Sequence, residues 1–207
     1  MDVKTVMMPG VRVPLVEEAD ASGRTAELYE LIKSTTGIPF IPDMFRLAST
    51  RPELLNVLIT GYNGVFSDGV LPRATRELIS AWTSKVNGCH YCVGTHNWFL
   101  AQFGGTQELT DAIASSDSPE DLPVDERTKA LMRLVTKVST AAYKITDEEW
   151  EQTAAAGWSS EELLEAVFTA ALFNFINRLV DSLGLGTALT MSKIAAQAAE
   201  AEPAPAG

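Results

Sequence analysis

Two cysteines and two histidines are all that this chain contains, and the four fall within eight consecutive residues, Cys89-His90-Tyr91-Cys92-Val93-Gly94-Thr95-His96. Rare residues gathered this tightly point to chemistry at one place. Asn87-Gly88 just before them is a breaker pair that can turn one helix into the next. A helix opening at Cys89 would aim free N–H groups and a positive dipole end at the sulfur, which favours a thiolate over a thiol. On a helical wheel Cys89, Cys92 and His96 fall at about 0°, 300° and 340°, inside one wedge. His96 then sits one turn beyond Cys92, placed to take or return its proton. The arrangement is a dithiol with a base beside it.

Glu77 stands twelve positions before Cys89, in an otherwise apolar run of Leu78, Ile79, Ala81 and Trp82. A carboxylate there can orient His96 and raise its basicity, which is the nucleophile, base and orienter logic of covalent catalysis. The pattern Glu77, eleven residues, Cys89-x-x-Cys92, three residues, His96 resembles the signature of the AhpD-like superfamily, also called the carboxymuconolactone decarboxylase family. Tyr91 inside the pair, with Ala21-x-Gly23-Arg24-x-x-x-Leu28-Tyr29-Glu30 upstream, is most similar to its peroxidase-related subgroup. Several AhpD-like proteins carry a histidine just before the second cysteine; that slot holds Tyr91 here.

The resemblance implies a cofactor-free thiol peroxidase, or a disulfide oxidoreductase using the same dithiol. Cys92 would attack a small hydroperoxide, Cys89 would condense with the resulting sulfenic acid, and an external dithiol or protein reductant would reset the Cys89–Cys92 disulfide. It also implies a homo-oligomer, trimer or hexamer, and a fold that pairs two helical halves. The helix dipole taken alone favours Cys89 as the more acidic and more exposed thiol. The two assignments disagree about which sulfur attacks first. A lactone decarboxylase-type lyase and a non-enzymatic redox sensor or partner-binding module are the rival readings, and the first of these tends to lack the cysteine pair in the family members it resembles.

Each residue also has a plainer reading. Free cysteines are among the most buried residue types, so the pair can be inert packing. Zinc can be bound by two Cys and two His, but His90 points about 240° away from His96 on one helix, which is poor tetrahedral geometry. His96 can be an ordinary hydrogen-bonded core histidine, and Glu77 a solvated helix residue. His90 is expected on the surface, where its charged form would stabilise the Cys89 thiolate. Tyr91 either donates a hydrogen bond to the pocket or packs. Trp98, Phe99 and Phe103 read as core. Asn174 and Asn177 sit on an apolar helix and need partners; they line the same pocket or bridge subunits.

The elements that must position these groups are helical. Apolar residues recur near a 3.6 period in Gly23 to Ser34, Pro52 to Val65, the Glu77 helix after Pro72, the motif helix to Gly104-Gly105, and Asp125 to Ala142. Asp43 is expected to cap a short helix through Ala48, and Thr106 another to Ser115. Thr146-x-x-Glu149 and Ser159-x-x-Glu162 fit capping boxes. The helix after Ser159 is apolar nearly all round and is expected to be the buried centre of its half. Residues 1–22 read as irregular, and residues 35–42 as an apolar loop able to cover a pocket. Strand patterns are close to absent. The expectation is an all-α, AhpD-like domain of about eight to ten helices over residues 1–199, ending in a helix near Leu189 to Ala199, followed by a low-complexity tail at 200–207. A shift of 85 residues lays Glu77 on Glu162, Cys89 on Asn174, Cys92 on Asn177 and His96 on Asp181, either an old duplication or a coincidence of amphipathic helices.

Composition excludes other classes. A net charge of −11 disfavours nucleic acid. No run of 18 apolar residues occurs, so no membrane span is expected. The first residues lack a secretory pattern, and the cytoplasm is the expected address, where a lone Cys-x-x-Cys is redox-active or metal-binding more often than structural.

Overall fold

The computed structural model describes residues 4–185; the expected helix near Leu189 to Ala199 and the tail lie outside the described residues. Nine α-helices make up the described part: α1 (Gly23–Thr36), α2 (Asp43–Arg46), α3 (Pro52–Phe66), α4 (Arg73–Val86), α5 (His90–Gln102), α6 (Gln107–Ser115), α7 (Glu126–Ala141), α8 (Asp147–Ala155) and α9 (Ser160–Ser182). Short 3-10 turns lie at Glu18–Asp20, Pro119–Asp121 and Ala142–Lys144. No strand occurs among the described residues; one antiparallel bridge joins Val6 to Leu15. The all-α expectation holds.

Local chemistry explains most boundaries. Thr106, Asp125, Thr146 and Ser159 each accept a backbone N–H in the first turn of α6, α7, α8 and α9, and both expected capping boxes are complete. One expectation fails: Pro42, not Asp43, precedes α2, which stops at Arg46. Asp43 is buried and accepts from Arg46 at 2.8 Å. A capping carboxylate is usually wetted, whereas this one neutralises a guanidinium with only 6% of its side chain exposed.

Two apolar clusters form the core. Leu28, Tyr29, Ile32, Phe45, Leu55 and Ile59 gather around Cys89 and Cys92 in the first. Leu78, Ile79, Trp82, Leu100, Leu131 and Val135 build the second. Helix α9 belongs to both: Leu163, Ala166 and Ala170 enter the second cluster, and Ile176 and Val180 the first. It is therefore a shared beam and not the centre of one half. Nor is it buried all round, since Leu164, Phe168 and Phe175 are exposed. By length and composition α9 is apolar enough to cross a bilayer, yet its inner face packs on α4 and α7. The 85-residue echo sets a helix–turn–helix against this single unbroken helix, so in that register the two stretches are different structures.

Candidate active site

Helix α4 carries the acid. Arg73 and Glu77 lie one turn apart on the same face, and the Arg73 Nε–H donates to Glu77 Oε1 at 2.7 Å. The other carboxylate oxygen, Oε2, accepts from His96 Nδ1 at 2.6 Å. Glu77 is fully buried and His96 is 5% exposed. The carboxylate thus bridges a guanidinium and an imidazole, one oxygen each. An imidazole that donates Nδ1–H to a carboxylate carries its lone pair on Nε2 when it is neutral.

The turn between α4 and α5 sets the sulfurs. Gly88 has φ +74°, a left-handed conformation that side chains other than glycine adopt at a cost. Asn87 Nδ2 donates to Asn174 Oδ1 at 3.1 Å and to Asn177 Oδ1 at 2.9 Å. Asn177 Nδ2 donates in turn to Ser84 Oγ, and Asn174 Nδ2 to Ser139 Oγ. These two amides clamp the turn to α9. Cys89 itself is the residue before α5, with its carbonyl accepting from Val93 N at 3.0 Å. The wheel drawn through Cys89 does not apply to it, but the outcome is similar: the sulfurs of Cys89 and Cys92 are 2.8 Å apart. A disulfide needs about 2.05 Å, so the pair stands ready to close.

The expectation that Cys89 is the more exposed thiol is overturned. Both cysteines are buried, Cys89 completely, because the helix start faces the first apolar cluster and not solvent. Cys92, with His96, Tyr91 and Thr95, walls a small cavity to which Cys89 does not contribute. The hydrogen bond with the Cys89 sulfur, followed by burial, pushes the Cys92 thiol well above its ordinary value, while Asn177 pulls the other way. His96 stands on the same cavity wall as Cys92.

Aromatic rings fix the imidazole. Phe66 lies parallel to it at 5.8 Å, and Phe173 meets it edge-on at 4.5 Å. Phe66 also carries the Arg73 guanidinium at 4.3 Å. Burial and then the Glu77 charge push the Tyr62 phenol up, which keeps it protonated beside the same cavity. Phe99, read from the sequence as core, lines the cavity instead, with Ile38 and Pro42 from the apolar loop. His90 is exposed and apart from the cavity; the buried sulfurs and this surface imidazole do not converge, and no cluster of three or more potential metal ligands occurs among the described residues.

The sequence brought Cys89, Cys92, His96 and Glu77 to one place and marked the 35–42 loop, which supplies Ile38 and Pro42, but not Arg73, Phe66 or Tyr62. Arg73 was legible as a cation four residues before Glu77. Phe66 and Tyr62 are brought in from α3, and no local pattern marks them.

An all-α fold with a buried carboxylate–imidazole pair beside a Cys-x-x-Cys at a helix start defines a class of dithiol proteins. Residues 52–124 match the profile of the carboxymuconolactone decarboxylase family. Among solved structures, the alkylhydroperoxidase AhpD core of an uncharacterized peroxidase-related protein from Ralstonia eutropha JMP134 is 22% identical, with a TM-score of 0.78, covering 89% of this chain and 96% of that chain. An uncharacterized peroxidase-related protein from Silicibacter sp. TM1040 is 20% identical, with a TM-score of 0.74, covering 85% and 91%. The debrominase Bmp8 in complex with 2,3,4-tribromopyrrole is 15% identical, with a TM-score of 0.70, covering 94% and 99%. No curated protein sequence matches the chain.

Proposed function

We propose that the protein is a cofactor-free thiol peroxidase. The reading rests on one observation: a fully buried Glu77 holds His96 at 2.6 Å, and His96 walls the same cavity as Cys92. His96 Nε2 takes the Cys92 proton, with Glu77 holding Nδ1–H. The Cys92 sulfur attacks the terminal hydroperoxide oxygen, the O–O bond breaks, and the alcohol leaves with the proton from His96. Cys92 is then a sulfenic acid. The Cys89 sulfur attacks it, an S–S bond forms, and water leaves carrying the Cys89 proton. An external dithiol supplies two electrons and two protons by exchange to restore the pair.

The same proposal includes the expected homo-oligomer, with exposed Leu54, Val57, Phe168 and Phe175 as the surface it would cover.

Peroxide consumption in the presence of dithiothreitol tests the reading, alongside Cys89→Ser and Cys92→Ser. Turnover should vanish in both variants, and a sulfenic acid should be trapped by dimedone on Cys92 when Cys89 is absent. Trapping on Cys89 alone would reverse the roles. Activity that survives loss of both cysteines would sink the peroxidase.

A further inference from the structure

Glu77 has no contact with solvent, and each of its oxygens has a partner: Oε1 faces Arg73 at 2.7 Å and Oε2 faces His96 at 2.6 Å. A carboxylate taken out of water is costly to keep ionised unless a cation pairs with it. His96 can supply that charge only as imidazolium, the form with no lone pair left to accept a proton. Arg76, three residues on, turns its guanidinium to the carbonyls of Val65 and Ser67. Arg73 is thus the one permanent cation hydrogen-bonded to Glu77 among the described residues.

Rings from two helices hold Arg73 in place. Its guanidinium lies 4.3 Å from the centroid of Phe66 on α3 and 4.8 Å from that of Phe103 on α5. Both distances are inside the roughly 6 Å over which a ring face attracts a cation. Phe66 also lies parallel to the His96 ring, so one side chain sets the separation of cation and base. Of the three polar groups only Arg73 reaches water to any extent, with 26% of its side chain exposed against 0% for Glu77 and 6% for His96.

We propose that Arg73 is the positioning residue of the relay: it keeps the Glu77 side chain an anion aimed at His96 Nδ1, and so keeps Nε2 free to accept a proton. Its use in turnover rests on the peroxidase reading; the charge arrangement does not. A proton added to the Glu77–His96 pair settles on the carboxylate or on the imidazole, and in both cases the imidazole carries Nε2–H. Other groups around the pair do not replace the cation. Tyr62 on α3 is a phenol kept protonated by burial and the Glu77 charge, and Cys92 on α5 is a thiol raised by Cys89 and burial. Arg76 on α4 feels the Glu77 charge but also those of Glu165, on α9, and Asp68. A cation this close to an acid lowers its hold on a proton by about one to three pH units, and the wet share of Arg73 favours the low end.

The test follows the His96 imidazole nitrogens by NMR against pH in His90→Asn protein, which leaves one histidine in the chain. Arg73→Gln should raise the titration midpoint by about one pH unit. Arg73→Lys keeps the charge, loses the planar fork, and should raise it by less. Phe103→Ala, at a ring that is 45% exposed, wets the guanidinium further and should move the midpoint the same way, which keeps the test decisive if Arg73→Gln misfolds. In Cys89→Ser protein, sulfenic acid formation on the acid side of its pH profile should be about tenfold slower with Arg73→Gln. An arginine that only braced the helix would change urea midpoints and leave both profiles in place. Imidazole midpoints unmoved in Arg73→Gln and Phe103→Ala, or moved alike by Gln and Lys, would overturn the proposal. A moved midpoint in a protein that consumes no peroxide would sink the peroxidase and keep the Arg73 assignment; an unmoved one in an active peroxidase would do the reverse.

Discussion

Replacing Glu77 by Gln keeps the shape of the side chain and removes one charge. Its two oxygens now serve Arg73 and His96 separately, at 2.7 and 2.6 Å. A glutamine has one acceptor and one donor group. If its oxygen serves Arg73, its NH2 faces His96 Nδ1, which must then become the acceptor. The imidazole proton moves to Nε2, and the proposed base loses the lone pair on that nitrogen. If the oxygen serves His96 instead, two donors meet at Arg73. The first arrangement leaves the geometry intact and the tautomer wrong, a change that lowers general-base rates by about 10²–10⁴. Loss of a buried charge-assisted hydrogen bond costs about 1.5–3 kcal/mol, and the Arg73 side adds little because 26% of that side chain is wet. The assay is single-turnover sulfenic acid formation in Glu77→Gln, Cys89→Ser protein, with urea unfolding run in parallel. A rate within threefold of the Cys89→Ser parent, in a protein that unfolds with normal cooperativity, would refute the relay.

Other consequences are open to simpler measurements. The Cys92 thiol is raised in the folded state, so the native reduced protein holds a proton that the unfolded chain releases above about pH 8.5. That contribution to stability is complete below this pH and falls by about 1.4 kcal/mol per unit above it. Urea midpoints at pH 7 and pH 10 should therefore diverge more for reduced wild type than for Cys92→Ser; equal slopes would count against the raised thiol. Asn177→Leu removes partners from Asn87 and Ser84 in a site that is 99% buried, and denaturant unfolding should register a loss of about 1–3 kcal/mol. Gly88→Ala has open space for its methyl but a φ of +74°, so strain alone should cost about 1–2 kcal/mol and slow disulfide closure, measured by thiol titration after oxidant. Phe66→Leu removes the ring beneath His96 and Arg73, and peroxide turnover should fall while the dithiol still oxidises.

Periodicity and capping residues made most helices legible, because those signals are local: Thr146, Glu149, Ser159 and Glu162 act within one turn of themselves. The ends of α2 were misjudged because Asp43 answers to Arg46, and Arg46 answers in part to Glu17, an interaction 29 residues distant. The shared role of α9 was also hidden. A helix apolar on most sides does not say how many clusters it joins, nor that one strip, through Leu164, Phe168 and Phe175, stays outside both.

The sequence by itself determined the helical class and the sulfur, imidazole and carboxylate that stand together, since rare residues at helical spacing within one helix–turn–helix have few other ways to meet. Tertiary structure alone decided which sulfur faces the cavity, how small that cavity is, and what surrounds the base. Those depend on Phe66, Phe173, Tyr62 and Ile38 arriving from separate elements, and burial and contact across the core are properties of packing that no local pattern encodes.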